Sequence, residues 1–216
     1  MLPAVRSRFT DTYPSARLEL RQIGWQDSTA GLSDGSTDLA YVWLPLPDEH
    51  RFRWIVMVSE PRYVALPQQH PLASHDTVAF ADLLDEPFLA LPESAGVLRE
   101  YWLALDARAG HTPRIGAVIS NPDETYEALV DGRGICLLAV GNAPLLTRGG
   151  VAVRPVTGIS PCHLALAWRS DDNRPQIHAY AQAAATVATT LYDSLTANPR
   201  RSEKTRETTD PKSMQQ

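Results

Sequence analysis

The chain has 216 residues, 44% of them hydrophobic and 21% charged, with a net charge of −5. That is enough apolar content for one large or two small folded domains, and no apolar run approaches the length of a membrane span. The N-terminus has no secretory h-region and two cysteines cannot form a disulfide framework, so a cytoplasmic location is the expectation.

Taken in chain order, Leu2, Val5, Phe9 and Tyr13 lie on one helical face that ends before Pro14. Arg17–Gln22 alternates, with Leu18 and Leu20 against Arg17, Glu19 and Arg21, and reads as a strand. A short helix is predicted over Trp25–Leu32. Strands follow over Asp38–Leu44, Phe52–Val58 and Arg62–Leu66, then a helical turn over Phe80–Leu84. A second cycle comprises a strand at Phe88–Leu91, a helix at Val97–Ala109, a strand at Ile115–Ile119 and a helix at Pro122–Val130. Strands at Ile135–Leu138, Val151–Val156 and Leu164–Trp168 precede a long Ala-rich helix, Pro175–Tyr192. Strands alternating with helices indicate an α/β protein with mostly parallel sheets.

Gly132-Arg133-Gly134 invites a phosphate-loop reading, but the order of elements is wrong. A dinucleotide loop follows a strand and opens a helix, whereas here a helix precedes the glycines and a strand follows. Gly132 is therefore expected to be a helix C-cap. The six histidines form no zinc pattern, and neither a nucleophile elbow nor a Walker motif is present. Cys136, in an apolar strand, reads as a small hydrophobe. No enzyme, metal or cofactor is expected. Five basic and three acidic residues make Ala197–Gln216 +2 and leave the body at −7, which gives no attraction to DNA.

A two-lobed α/β body without catalytic motifs points to small-molecule binding between lobes. Ligands in such sheets meet the carboxyl ends of strands beside helix N-termini, which favours an anionic effector. Trp25 and Gln26 follow the strand at Arg17–Gln22, Ser94 and Gly96 follow Phe88–Leu91, and Ser120 and Asn121 follow Ile115–Ile119. These six residues are the expected effector site. For Ser120 and Asn121, helix capping is the competing reading, and for Trp25 it is packing into a lobe core.

Five stretches, in order, resemble the effector-binding domain of LysR-type transcriptional regulators. They are LPAVRSRFTDTYPSARLELRQ, LSDGSTDLAYV, VALPQQHPLA, FADLLDEPFLALP and EALVDGRGICLLA, spread over most of residues 2–192. The resemblance implies a type 2 periplasmic-binding-protein-like α/β fold of two lobes joined by two crossover strands, crossing near Asp85–Pro87 and Ser160–His163. Lobe I is expected at 1–85 plus 163–195, lobe II at 86–162, and a disordered tail at 196–216. It implies effector sensing in transcription control through a homodimer or tetramer. Helices Leu2–Tyr13 and Trp102–Ala109 are the candidate contacts. Full members carry an N-terminal helix-turn-helix that these residues do not include, so DNA contact is expected only through such a domain. The family's first strand, between those matching Arg17–Gln22 and Asp38–Leu44, is also not matched, which should remove ladder partners from both. A start upstream of Met1 or a truncated gene product is expected. The alternative function is a freestanding truncated binding protein that sequesters a ligand or dimerises with a complete regulator.

Overall fold

In the computed structural model, residues 1–197 are described, except for the side chains of 191–197; most of the expected tail at 196–216 lies outside the described residues. Helix α1 spans Leu2–Thr12 and helix α5 spans Pro175–Ala197. Pro3 fits the first turn of α1, where no N–H is needed, and Tyr13 closes the helix by donating its N–H to the Phe9 carbonyl. The 3–4 spacing read from sequence buries Val5 and Phe9. The Phe9 ring meets Tyr180 of α5 edge-on at 5.4 Å and stacks on Tyr13 at 5.6 Å. Residues 1–16 and the chain from His178 onward form one unit, and Arg17–Ile177 form another.

Within the second unit, β1 (Ala40–Trp43), β2 (Phe52–Glu60) and β9 (Cys162–Arg169) form an antiparallel sheet in the order β1-β9-β2. Its core is Leu32, Ala40, Val42, Leu46, Phe52 and Ala167. A second sheet takes β4 (Val78–Ala79), β8 (Val151–Thr157), β3 (Arg62–Pro67) and β7 (Cys136–Ala139), in that order. It continues through a parallel bridge, Phe88 to Ile135, into the parallel pair β5 (Pro87–Ala90) and β6 (Arg114–Val118). Its strands β3, β5 and β7 are buried on both faces, which is why they read as unbroken apolar runs, whereas β6 is mostly exposed. Val64 and Leu66 point into one core with Phe88, Ala90 and Leu137, and Ala65 points into the other with Leu89, Cys136 and Leu138.

The two sheets define two lobes, and the strand pairing corrects the expected crossing. Pro61, between β2 and β3, has no N–H to give to a ladder, so pairing with β9 ends at Glu60, and pairing with β7 starts at Arg62 and with β8 at Tyr63. The first crossing is thus at Pro61, not Asp85–Pro87, and residues 62–85 belong with lobe II. The chain returns through 158–161, between β8 and β9, whereas Cys162 and His163 of the expected Ser160–His163 crossing already belong to β9. The ladders are also mostly antiparallel rather than mostly parallel. The chain goes out along β2–β3 and returns along β8–β9, and an out-and-back path pairs its strands in opposite directions.

Three local expectations change as well. Arg17–Gln22 forms no strand and Leu20 is 75% exposed, while β1 stands at the sheet edge with β9 its one neighbour. Trp25–Leu32 is a series of turns rather than a helix, held by the Asp27 carboxylate. It accepts from the Thr29 N–H at 2.8 Å, the Thr29 hydroxyl at 2.7 Å and the Gly31 N–H at 2.7 Å. Helix α2 covers Val97–Trp102, not Val97–Ala109, because Ala104 adopts a left-handed φ of 51° and a 3-10 turn follows at Leu105–Ala107. Between β6 and β7 lies α3 (Pro122–Val130), and the short α4 (Ala143–Leu146) follows β7.

Candidate functional site

The expected site draws on three loops of the second unit. Trp25 is half-buried and packs against the lobe II cluster of Leu89, Ala117, Ile119, Ala128 and Leu129. Gln26 beside it is exposed. Ser120 follows Ile119 and is half-buried, and its N–H donates to the Glu124 carboxylate at 2.7 Å.

Asn121 caps α3. Its Oδ1 accepts the Glu124 N–H at 2.9 Å and its backbone carbonyl accepts the Thr125 hydroxyl at 2.8 Å. With Pro122 at the first helical position and Glu124 reaching back, this is a capping box in all but the identity of the second donor. Asn121 borders a concavity shared with Val118, Asp123, Glu124, Glu127, Asp131 and Arg133. Four carboxylates against one guanidinium repel an anion there, and Trp25 is not in that lining. Ser94 and Gly96 are exposed in the turn that opens α2. At six residues, α2 is too short to supply a strong dipole. Trp25 thus packs on the lobe II cluster, and Asn121 borders an acidic concavity whose lining does not include Trp25.

The Gly-x-Gly segment is the turn read from sequence. Gly132 has φ 68° and donates to Leu129, and the Arg133 N–H reaches the Ala128 carbonyl at 2.9 Å, a Schellman closure of α3. Gly134 serves close approach, since a Cβ there would sit 2.6 Å from the Pro87 carbonyl oxygen. The His-Pro stretch after β3 is structural too. The Nδ1 of His70 accepts the Leu72 N–H at 3.2 Å and its Nε2 lies 3.3 Å from the Glu86 carboxylate. Among the described residues no cluster of His, Cys, Asp or Glu could hold a metal ion. Burial pushes the Cys136 thiol up to about 12 and Cys162 to about 11, leaving both protonated and unreactive.

Sequence reading missed two buried arginines. Arg62, 1% exposed, starts β3 at the first crossing. Its Nε donates to the Ser160 carbonyl at 2.8 Å, its Nη2 to the Ser160 hydroxyl at 2.9 Å and its Nη1 to the Tyr101 carbonyl at 2.8 Å. Burial lowers its pKa and raises that of Tyr101. Arg108, also 1% exposed, lies 4.4 Å from the Phe88 ring centroid and donates to the Leu103 and Leu84 carbonyls. The one signal was a charged residue inside or beside an apolar run, which by itself reads as surface.

A family model, LysR substrate binding domain, matches residues 1–189. The HTH-type transcriptional regulator YwbI of Bacillus subtilis (strain 168) is 31% identical over 170 residues, 78% of this chain and 56% of that protein. The HTH-type transcriptional regulator ShiR of Corynebacterium glutamicum (strain R) is 30% identical over 146 residues, 67% of this chain and 49% of its own. The chain spans about half the length of these curated relatives. Among solved structures, the effector binding domain of QuiR in complex with shikimate superposes with a TM-score of 0.72 at 17% identity, covering 88% of this chain and 91% of that one. The BenM effector binding domain with benzoate gives 0.64 at 20% identity, with 88% and 86% covered. The two-lobed α/β fold is that of these effector-binding domains, and with residues 1–189 matched by one model the chain belongs to the LysR substrate binding domain family.

Proposed function

We propose that the chain is the small-molecule-sensing part of a LysR-type transcriptional regulator, in which effector binding between the lobes changes the geometry of a homodimer or tetramer. The observation that carries this is one family model over residues 1–189, on two sheets joined by two crossings. DNA binding would belong to a helix-turn-helix domain outside these residues, and the setting would be the cytoplasm. No helix among the described residues is long and apolar enough to cross a membrane.

The effector is proposed to be a small carboxylate, since QuiR and BenM are seen with shikimate and benzoate. Its apolar face would lie on Trp25 near Ile119, with Gln26, Ser94, Gly96 and Ser120 offering hydrogen bonds. Asn121 has the weakest claim, its Oδ1 being engaged in the cap. The test is a thermal-shift and tryptophan-emission titration of the purified chain with small carboxylates, benzoate and shikimate first. The expected result is a rise in Tm and a change in emission with at least one of them, both lost in Trp25→Ala. No response to any carboxylate at millimolar concentration overturns the reading.

A further inference from the structure

We infer that Arg62 is the latch that sets the angle between the lobes. Two single-strand crossings side by side make a hinge that rotates freely unless something ties them. Here the guanidinium ties them. Arg62 leaves the first crossing and grips Ser160 of the second through two nitrogens, one on the carbonyl and one on the hydroxyl. Its third nitrogen holds the Tyr101 carbonyl on α2, and its plane lies over the Tyr101 ring at 4.4 Å. Tyr101 grips the second crossing with its other end, donating its hydroxyl to the Pro161 carbonyl at 2.8 Å. The neighbouring Trp102 meets Trp43, at the end of β1 in lobe I, edge-on with centroids 5.9 Å apart.

The seam therefore runs from one crossing through the other to α2, and across to lobe I. No carboxylate hydrogen-bonds to the guanidinium: its partners are two carbonyls, one hydroxyl and a ring, and Asp106 acts on it only through space. Such a group cannot lose one partner gradually, because a buried cation with a missing bond is strongly disfavoured, so the seam is either docked or broken. The turn at Glu93–Ala95 that opens α2 contains Ser94, so a ligand there would pull on the same helix. That coupling rests on the proposed function, whereas the latch itself is tested without ligand.

Spin labels at Glu49→Cys in lobe I and Glu127→Cys in lobe II, both exposed positions, report the interlobe distance by pulsed electron resonance. The native thiols are buried and stay unlabelled. The expected result is one narrow distance distribution in the parent chain and at least a twofold broader one, or a shifted mean, in Arg62→Met. Arg62→Lys should also broaden it, because an ammonium cannot span both Ser160 acceptors. An unchanged distribution in a cooperatively melting Arg62→Met overturns the latch. If that variant does not fold, the double variant Ser160→Ala, Tyr101→Phe removes two seam bonds and leaves the guanidinium in place. Broadening there supports the latch, and a narrow parent-like distribution overturns it.

Discussion

Asp172 shows how one side chain can carry a pH dependence. Its carboxylate accepts from Arg174 Nη2 at 2.6 Å and Nε at 2.9 Å, with Arg169 at 3.5 Å. Those hydrogen bonds, Arg174 first, hold its pKa at about 2 and raise that of Arg174. A folded pKa below the unfolded one gives stability that is present above roughly pH 4 and lost as the pH falls through about 2. Arg174 is half-exposed, so screening leaves about 1 kcal/mol of that shift as stability. Asp172→Asn should therefore lower Tm by a few degrees at pH 7 and by nothing near pH 2; parallel melts that keep their separation at pH 2 would contradict this. Arg108 makes a different case. Its Nη2 has no partner among the described residues, and Phe80 and Phe88 flank the guanidinium. Arg108→Ala should cost about 3 kcal/mol by opening a cavity. Arg108→Met fills that space and removes a poorly satisfied cation, so it should cost about 1 kcal/mol or less in urea melts. A methionine variant as unstable as the alanine one would mean that the two carbonyl bonds, not the packing, hold this turn.

Element-scale punctuation was the most legible part of the sequence. Capping was the reading weighed against effector contact for Asn121, and a stop was expected at Gly132; Asn121 caps α3 and Gly132 closes it. Local rules suffice there because the capping bonds reach only three to five residues along the chain. Asn121→Ala should cost about 1 kcal/mol. The three glycines of this region separate two physical roles. Gly132 has a left-handed φ and open space, so Gly132→Ala should cost about 1 kcal/mol of backbone strain. Gly134 and Gly116 face the Pro87 and Arg133 carbonyl oxygens, at 2.6 and 1.8 Å from where a Cβ would sit, so alanine there must displace the turn between α3 and β7 from β5 and β6, at about 2–3 kcal/mol or more. Denaturant melts of the three variants check the order, and equal losses would sink the distinction. Local rules failed where pairing decides. Arg17–Gln22 has the alternation of a strand, yet alternation only places side chains on faces. A strand also needs a neighbour to take its N–H and C=O groups.

At the scale of the whole molecule, stability is expected to be uneven. β9 is central in its sheet and β3 lies between β7 and β8, whereas 17–24 has no ladder and β1 is an edge. Hydrogen exchange followed by mass spectrometry should find the amides of 17–24 exchanging within seconds and those of β9 and β3 slowest. Strong protection across 17–24 would show that this segment pairs in solution, within the chain or with a second copy. The sequence alone determined most of the elements, though not Arg17–Gln22, Trp25–Leu32 or the end of α2, and it pointed to the family. Helical spacing, apolar runs and turn residues act between near neighbours, and the five matched stretches keep their order along the chain. It did not determine where the chain changes lobe, which strands run antiparallel, or that Arg62 lies buried between the two crossings. Those follow from bonds between residues far apart in sequence, such as Arg62 to Ser160 across 98 positions. A strand reads the same whichever sheet receives it, and a guanidinium is a surface group until the fold brings carbonyls around it. The tertiary structure alone decided those points, because only the assembled fold supplies the partners that each backbone edge and each buried charge requires.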